Sequence, residues 1–531
     1  MKSIYLLFFP LLTCGVLSAQ NPLKDTIVPS KGHIKEQLDS IKKEKVKIAS
    51  DSAGNGNQPA KSRFIDTTKL NKYGDLLNDD PEFTKKTSVL TPALEVVGMS
   101  VVLNVVDRTV MHLEFANVDP HTWSRTLKAG FPWTNGWEWD QDRFGNNFLS
   151  HPMTGSFYFN AARANGFNFW QSAPIVFAGS YMWKIFGENG TPEREDLINT
   201  TVDGILLGET TYRLSSNILD DRTTGAERVF REIAAGLVDP IRGFNRLFQG
   251  KCTRRTNKEV YQKEPVNITF YAGVHAINNQ TNHLLSGHND EMLNIQLNYG
   301  NPFEVRSRKP FDFFRFRAEL NFGVGRKVVD NITGYGVLLA KNYQWGKVAA
   351  LLGGFQYYDY YDTKAFELST TAFGPGLITK VPLGKTWSLY TNFHLAFAPF
   401  AGSSVGPVTD TTLYRDYRFA FGWQGKIESM INFGKIGTLT LLYYYYMIHA
   451  FDNTGKDESK VGTLGNNYIS ILKPRVTVHL YKNLSIGAEQ TVYLNDHVDN
   501  GVQNLHFTQT EQRIFLMLYW DDPQRRQHYN L

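Results

Sequence analysis

The feature that most constrains this chain is a strict alternation of apolar and polar residues from about residue 260 almost to its end. Successive side chains of a β-strand point to opposite faces, so such alternation predicts strands with one apolar and one polar face. The polar face carries charges, as the segment around residue 317 illustrates with Phe314, Phe316, Ala318, Leu320 and Phe322 alternating with Arg315, Arg317, Glu319 and Asn321.

About twelve such runs are present, most of them around ten residues or longer. They start near residues 266, 291, 311, 333, 346, 364, 386, 415, 435, 466, 483 and 508. This length suits a tilted strand that crosses a bilayer, and bacterial single-chain barrels use an even number of strands. A soluble β-sandwich also alternates, but its dry core would not accept the charged face. The apolar face is rich in Phe, Tyr and Trp, as expected where strands cross the bilayer interface.

We therefore predict an α+β membrane protein, in which a helical bundle precedes an antiparallel transmembrane β-barrel of about 12 strands over residues 260–522. A barrel of this size leaves little room for a wide pore. Its polar face predicts a salt-bridged lumen that closes or gates the barrel, lined by Arg315, Arg317, Glu319, Lys426, Glu428, Arg475 and Glu489.

The chain begins with the pattern of a secretory signal peptide over residues 1–19, with cleavage expected after Ala19. A lipoprotein cleavage at Cys14 is a weaker alternative. Residues 20–89 are polar and poor in aromatics, which predicts a disordered periplasmic tether. These segments and the barrel together predict a location in the outer membrane of a Gram-negative bacterium, in contact with its lipids.

Residues 90–250 show helical periodicity and predict a bundle of about five helices, none with an uninterrupted apolar run long enough to span a bilayer. Three of these helices are predicted to follow one another after a Trp-rich loop. Thr191 is expected to cap the third of them, with Pro192 in its first position. A break is expected at Asp239 and Pro240. We expect this domain at the periplasmic mouth of the barrel or partly within its lumen.

Composition excludes several classes of function. The chain has 531 residues, and its 56 basic and 51 acidic residues are spread evenly, so nucleic acid is not an expected partner. Cleavage before residue 20 leaves Cys252 alone, which excludes a disulfide framework. The histidines of the helical segment, His112, His121 and His151, lack the spacing of a metal site, so we expect neither a metal nor a cofactor.

Polar residues lie among apolar ones on the predicted helices. His151 with Asp142 and Glu188 is the candidate catalytic group, because a carboxylate-held imidazole activates water or a hydroxyl. The alternative is that His151 only supports the bundle through hydrogen bonds. The other members form a ligand-binding or structural polar cluster, which comprises Asn104, Asp107, Arg108, Asn147, Tyr158, Arg163, Asp196, Asn199 and Glu209.

These residues also carry a family resemblance. The pattern Asp142-x-Phe144-x-x-Asn147-x-x-x-His151-Pro152, continued by Asp196-Leu-Ile-Asn199, resembles an uncharacterised bacterial domain family that precedes outer-membrane barrels. The order His, Glu, Asp-Leu-x-x-Asn is more distantly similar to the VanZ-like helical families. The Lys of that pattern is absent from its expected place, where Arg143 follows Asp142. The resemblance covers about residues 100–250 and implies an architecture but no reaction.

Three functions remain open. The first is a non-enzymatic envelope protein whose helical domain plugs the barrel or binds a lipid or small ligand. The second is a lipid- or glycolipid-modifying hydrolase that uses His151. The third is a gated small channel. The sequence identifies no protein partner.

Overall fold

The computed structural model describes residues 88–521, except for short segments at 111, 113, 132–135, 140–141, 257–258, 279–287, 306–308, 324–326, 364, 405–416, 452–463 and 500–503. The predicted signal peptide, and all but the last two residues of the predicted tether, lie outside the described residues.

The described part of the chain forms seven α-helices where the sequence predicted about five. They are α1 (Leu90–Thr109), α2 (Pro120–Lys128), α3 (His151–Ala164), α4 (Phe169–Phe186), α5 (Arg194–Ile218), α6 (Gly225–Val238) and α7 (Pro240–Phe248). The additional helix is α2, in the Trp-rich segment that was predicted to be a loop. Asp119 starts it by accepting a hydrogen bond from the backbone N–H of Thr122 at 2.7 Å.

The boundaries of two helices test the predicted capping residues. Asp239 ends α6 and caps α7, with its carboxylate accepting from the Arg242 N–H at 3.0 Å, as the Asp-Pro pair predicted. The predicted start of α5 at Thr191 and Pro192 was wrong. The Pro192 carbonyl and the Arg194 N–H instead bond to the backbone of Glu138, which holds this segment extended until Arg194.

Helix α1 corrects a second expectation. It is 20 residues long with a mean hydropathy of 1.5, and it is the one described helix that is long and apolar enough to cross a membrane. The sequence predicted no membrane-spanning helix here, because Asn104, Asp107 and Arg108 interrupt the apolar run. In the structure, Asn104 and Asp107 continue the line of the buried residues Pro92, Val96 and Ser100, so most of the helix surface remains apolar.

The predicted twelve-stranded antiparallel barrel is confirmed. Its strands are β1 (Val266–Asn278), β2 (His288–Tyr299), β3 (Phe314–Asn321), β4 (Val329–Trp345), β5 (Val348–Asp362), β6 (Glu367–Pro382), β7 (Ser388–Ser404), β8 (Tyr417–Asn432), β9 (Gly437–Ala450), β10 (Asn466–Tyr481), β11 (Leu484–Val498) and β12 (Asn504–Asp521). Each strand pairs with its sequence neighbours, and β1 pairs with β12 to close the sheet.

Ion pairs between strands that are not neighbours identify the inner face of the barrel. Arg315 of β3 reaches Glu428 of β8 at 2.6 Å, and Arg513 of β12 pairs with Glu319 of β3. Such contacts pass through the interior, because these strands do not adjoin in the sheet. Residues adjacent in sequence to an inward-facing residue therefore point outward.

The outward face between β7 and β12 is apolar and exposed. Its exposed side chains include Phe393, Leu395, Phe421, Trp423, Leu439, Leu441, Val476, Val478, Leu516 and Leu518. A continuous surface of this kind on a closed barrel is typical of contact with lipid.

The helical bundle covers the outward face on the other side of the barrel. Tyr358 points outward because Asp359 faces the lumen, and its hydroxyl donates to the Phe148 carbonyl. On β6, the outward Thr371 donates to Asp203 of α5 at 2.6 Å. One apolar cluster joins helix residues such as Phe148 and Phe159 to outward residues of the wall, including Leu297, Tyr299, Phe314, Tyr358, Tyr360, Tyr417 and Phe419.

The expected position of the helical domain, at the mouth of the barrel or within the lumen, is therefore corrected. The described helices lie beside the barrel, packed on its wall. The aromatic residues of the apolar strand face were expected at the bilayer interface. Tyr417 and Phe419 belong to this face, but in the structure both are buried under the bundle. Their alternation marks an apolar face without specifying what covers it.

Candidate functional site

The candidate site is a group of charged side chains around Lys184, near the C-terminal end of α4. Its ammonium lies 2.6 Å from a carboxylate oxygen of Glu188, 2.6 Å from one of Glu193, and in contact with Asp196. Glu188 and Glu193 belong to the segment between α4 and α5, and Asp196 belongs to the first turn of α5. The turn between these helices therefore brings three carboxylates to one lysine.

His151, the first residue of α3, completes this group. Its Nε2 lies 3.2 Å from Oδ2 of Asp196, the same oxygen that contacts Lys184. Helices α3 and α5 approach this closely because Gly155 and Gly204 meet where they cross. A Cβ built on Gly155 would lie 1.7 Å from the Thr200 carbonyl oxygen, so no larger residue fits there. We call His151, Lys184, Glu188, Glu193 and Asp196 the Lys184 cluster.

The two glutamates of the inter-helix segment have different electrostatic environments. Burial raises the pKa of Glu193 to about 8 despite the attraction of Lys184, which lowers it, and the charges of Asp196 and Glu188 raise it further. The pKa of Glu188 is lowered, because Lys184 and the indole N–H of Trp183 offset its burial. At neutral pH the cluster thus holds a protonated and an ionised glutamate side by side.

The Lys184 cluster is open to the surface on one side only. The side chains of Lys184 and Asp196 are 2% exposed, whereas those of His151 and Glu193 are 20% and 23% exposed. A molecule that approaches the cluster therefore meets the imidazole and the protonated carboxyl first.

The three carboxylates also have the geometry of a cation site. One oxygen each from Glu188, Glu193 and Asp196 lies within 4.8 Å of the others. The Lys184 ammonium contacts all three of these groups, so a cationic side chain of the protein already takes the place of a bound cation. The arrangement therefore gives no reason to assign a metal.

Of the three predicted catalytic residues, only His151 and Glu188 belong to the Lys184 cluster. Asp142 is exposed and accepts a hydrogen bond from Asn146 Nδ2 at 3.2 Å. The carboxylate that orients His151 is that of Asp196, which was predicted only as a member of the polar cluster. Glu188 is held by Trp183 and Lys184.

Several other predicted polar residues attach the bundle to the barrel. Asn147 lies in a π-helical turn directly before α3, and its side chain donates to the Tyr417 hydroxyl at 2.7 Å. Its carbonyl accepts from the side chain of Asn199 at 2.9 Å. Asn147 and Asn199 thus connect the π-helical turn before α3, helix α5 and the wall at β8.

The remaining predicted residues belong to the bundle around the site and are not members of the Lys184 cluster. Arg163 bonds Glu209 through two hydrogen bonds of 2.7 and 3.2 Å, and Arg213 bonds the same carboxylate at 2.7 Å. Tyr158 pairs with Ser100 at 3.1 Å, and Asn104 donates to the Gly187 carbonyl at 2.9 Å. Asp107 is half-buried near the C-terminal end of α1, and Arg108 beside it is exposed.

The predicted lumenal residues lie inside the barrel and fill it. Arg475 bonds Glu489 at 2.7 Å, Lys426 bonds Asp359 at 2.6 Å, and Arg317 bonds the Tyr444 hydroxyl at 2.8 Å. The two cavities found among these side chains have volumes of about 10 and 50 Å³, room for a few water molecules. The described lumen is therefore closed by the side chains of the barrel itself.

Sequence reasoning missed Lys184 and Glu193. The VanZ-like pattern led us to seek a lysine beside Asp142, but a lysine reaches the His–Asp pair from another helix. The spacing of Lys184 and Glu188, one helical turn apart, was a signal present in the sequence. Nothing local marked Glu193, because its environment depends on how α4 and α5 meet.

Comparison with known families finds a domain of unknown function in the helical part of the chain, which is consistent with the expected uncharacterised domain family, and does not show the VanZ-like similarity. Residues 136–241 match the family described as "Domain of unknown function (DUF3943)". The match includes α3, α4, α5 and α6, and every residue of the Lys184 cluster. No curated protein matches the chain.

Solved structures that resemble the chain include three bacterial barrel proteins. The NanC porin has 8% identity and a TM-score of 0.27, over 48% of this chain and 98% of that one. OmpT, an outer membrane protein of Vibrio cholerae, has 9% identity and a TM-score of 0.23, over 48% and 96%. An anion-selective porin from Comamonas acidovorans has 10% identity and a TM-score of 0.22, over 48% and 98%.

Proposed function

We propose that this protein is an outer-membrane protein whose closed barrel anchors a helical bundle, and that the Lys184 cluster in this bundle transfers protons in the hydrolysis of a lipid or glycolipid. The observation that carries the proposal is the contact of His151 with Asp196 inside the Lys184 cluster.

The outer-membrane location is supported by the surface of the barrel. Its wall from β7 to β12 exposes Phe, Trp, Leu and Val side chains to the surroundings, while its charges point inward. Water disfavours such a surface, whereas acyl chains accept it. The periplasmic location of the N-terminal tether stays part of the proposal.

The position of the Lys184 cluster relative to the barrel favours a substrate in the outer leaflet. Long connections such as 405–416 and 451–465 lie at one end of the barrel, and outer-membrane barrels direct their long loops outward. Trp139 packs on Phe400, Phe419 and Phe451 at this end, and the backbone of Glu138 beside it pairs with Pro192 and Arg194. The cluster is thus held near the level of the outer headgroups.

The chemistry follows from the arrangement of the side chains. When His151 Nε2 donates to Asp196, its Nδ1 is left as the acceptor for a proton of water. The resulting hydroxide forms the new bond to the ester or glycosidic carbon. Glu193, which is protonated at neutral pH, supplies a proton to the leaving oxygen. Lys184 favours the ionised form of Glu188 during these steps and contacts the oxygen of Asp196 that holds His151.

A second candidate function is headgroup binding without turnover. It is favoured by the number of contacts that Lys184 makes. A cation held by three carboxyl groups is typical of a structural element, which supports a site without a reaction. The closed lumen does not support the gated-channel alternative, and the position of the bundle beside the wall does not support a plug.

Mass spectrometry of lipids tests the proposal. Purified protein in vesicles of phospholipid and lipopolysaccharide is compared with the His151→Gln variant. The matched control is His506→Gln, which removes an exposed histidine that also pairs with an aspartate, at 2.7 Å from Asp496. We expect the wild type and the control to convert one lipid class, and His151→Gln to lose at least about a hundredfold of that rate.

Two results would reject hydrolysis. One is that no lipid changes mass although all three proteins fold, as judged by the heat-dependent gel mobility of the barrel. In that case, lipid that co-purifies with the wild type but not with His151→Gln establishes binding without turnover. The other is that His151→Gln retains the wild-type rate, which would remove the Lys184 cluster from the reaction.

A further inference from the structure

The helical bundle has the same height as the wall of the barrel. At the long-loop end, Phe148 contacts Tyr358 and Tyr417, and the latter is the first residue of β8. At the opposite end, Asn217 near the end of α5 donates to the carbonyl of Glu264, two residues before β1, at 2.7 Å. Helix α5 therefore extends beside the wall from one end of the barrel to the other.

Helix α1 runs alongside this bundle over the same height. Near its start, Glu95 accepts from Asn165 at the end of α3 at 2.8 Å. In its middle, Ser100 meets Tyr158, and near its end Asn104 donates to the carbonyl of Gly187 beyond α4. Helix α1 is thus antiparallel to α3, and it lies on the side of the bundle that the barrel does not cover.

The outer surface of α1 is almost entirely aliphatic. Its exposed large side chains are Leu90, Leu94, Val97, Val101, Val102, Val105 and Val106. The length of 20 residues corresponds to about 30 Å of helix, which equals the thickness of the hydrocarbon core of a bilayer. Aliphatic residues exposed over this distance are unfavourable in water.

From these contacts we infer that the helical bundle is embedded in the outer membrane beside the barrel, and that α1 packs against the acyl chains of the lipids. The inference rests on the proposed outer-membrane location, because the barrel fixes the height of the bilayer to which the bundle is attached. The outer surface of α1 and the barrel wall from β7 to β12 both expose large apolar side chains.

The distribution of polar groups in the bundle agrees with this position. The charged side chains between α3 and α5 are directed inward and paired, as in the contact of Arg163 and Arg213 with Glu209. Transmembrane helices likewise bury their few charged residues against one another. The close crossing of α3 and α5 at Gly155 and Gly204 also corresponds to the small-residue contacts common between helices in membranes.

A bundle embedded in the membrane, unlike a domain in the periplasm, must satisfy its backbone and polar groups without water. Apart from those at its two ends, the backbone groups of α1 bond within the helix, so its insertion leaves few unsatisfied groups in the lipid. Ser100 at its middle donates to the Val96 carbonyl and pairs with the Tyr158 hydroxyl, and Asn104 donates to the carbonyls of Ala116 and Gly187. The embedded bundle would thus present the Lys184 cluster directly to lipid that diffuses along the membrane.

Spin labels on single cysteines test the inference. In the full chain with Cys14→Ser and Cys252→Ser, a single cysteine replaces Val101 or Val102 at the middle of α1. The lipid-facing reference is Leu441→Cys on the outward face of β9, and the water reference is Lys435→Cys in the β8–β9 turn. The parent chain without cysteine provides the blank. The protein is reconstituted in phospholipid vesicles, and collisions with oxygen and with a water-soluble nickel chelate are measured.

We expect labels at Val101 and Val102 to match that at Leu441, with at least about fivefold more access to oxygen, relative to nickel, than the label at Lys435. Labels at Leu94 and Val106 should show intermediate ratios, because they lie nearer the ends of the helix. Such a profile along α1 would support an embedded helix.

The contrary outcomes separate the inference from the location on which it rests. If Val101 and Val102 behave as Lys435 while Leu441 contacts lipid, the barrel is in the membrane and the bundle is not. If both α1 labels are shielded from oxygen and nickel, protein covers the helix and the inference fails. If Leu441 also contacts nickel freely, the outer-membrane location itself is rejected.

Discussion

Asp203 of α5 accepts a hydrogen bond of 2.6 Å from the hydroxyl of Thr371, which points outward from β6. Both side chains are buried, so a carboxylate of the helical bundle is bonded to the outer wall of the barrel. This contact shows that the bundle lies on the outer side of the wall. Thr370, the neighbour of Thr371 in the strand, faces the lumen and bonds Asp359, so Thr371 faces outward.

Removal of the Thr371 hydroxyl should loosen the bundle. We expect Thr371→Val to lower the stability of the protein by about 1–3 kcal/mol, because it leaves a buried acceptor unsatisfied. Thermal unfolding followed by circular dichroism measures the effect. Thr379→Val, on the same outward face of the same strand, is the control, since its hydroxyl has only a 3.4 Å contact with the Thr391 carbonyl. Equal losses in both variants would contradict the importance of the Asp203 contact.

Glu193 should make the stability of the bundle depend on pH. Its pKa of about 8 in the folded protein lies above the ordinary value of 4.5, so the folded state retains a proton that the unfolded state releases. Stability from this group is complete below about pH 4.5 and is lost as the pH rises towards 8. The slope in this window is up to about 1.4 kcal/mol per pH unit.

The measurement is the thermal midpoint of unfolding between pH 5 and about pH 8. Glu193→Gln cannot release a proton and should flatten this dependence. Glu227→Gln, at an exposed glutamate of α6 that pairs with Arg231, should leave it unchanged. Identical pH profiles for wild type and Glu193→Gln would show that another group titrates.

Lys184 should be essential for the stability of its cluster. Lys184→Met removes the cation from three carboxylates, and an uncompensated buried charge costs about 3–5 kcal/mol. We expect a large fall in the thermal midpoint, partly restored in the double variant with Asp196→Asn. Lys435→Met, at an exposed turn, serves as the control. Full stability of Lys184→Met would mean that water or ions neutralise the site.

The barrel should not conduct ions. Salt bridges from Arg315 to Glu428 and from Lys426 to Asp359 cross its interior, and the cavities between them hold only a few waters. We expect no steady conductance when the full chain is inserted in planar bilayers. The same is expected for Thr371→Val, although this variant weakens the contact between the bundle and the wall. Stepwise currents that increase in Thr371→Val would instead indicate a pore gated by the helices.

Much of the fold could be predicted from local patterns. The alternation around Arg315 and Arg317 identified strands, their inward face and their number, and the Asp239-Pro240 pair located a helix boundary. The candidate site was only partly predictable. His151 and Asp196 were selected as unusual polar residues, but the contact of Asp196 with His151 was not predicted and Lys184 was overlooked, because proximity between different helices leaves no local signal.

The sequence by itself determined the barrel, since the pleat of a strand forces every second side chain to one face and charges can be accommodated only where they find partners. The tertiary structure alone decided what covers the outward face. Tyr358 and Tyr417 are apolar enough for lipid, and the alternation is the same whether acyl chains or helices pack against them. Only the fit of Phe148, Asn147 and Asp203 to that wall selects the helical bundle, because those contacts join residues far apart in the chain.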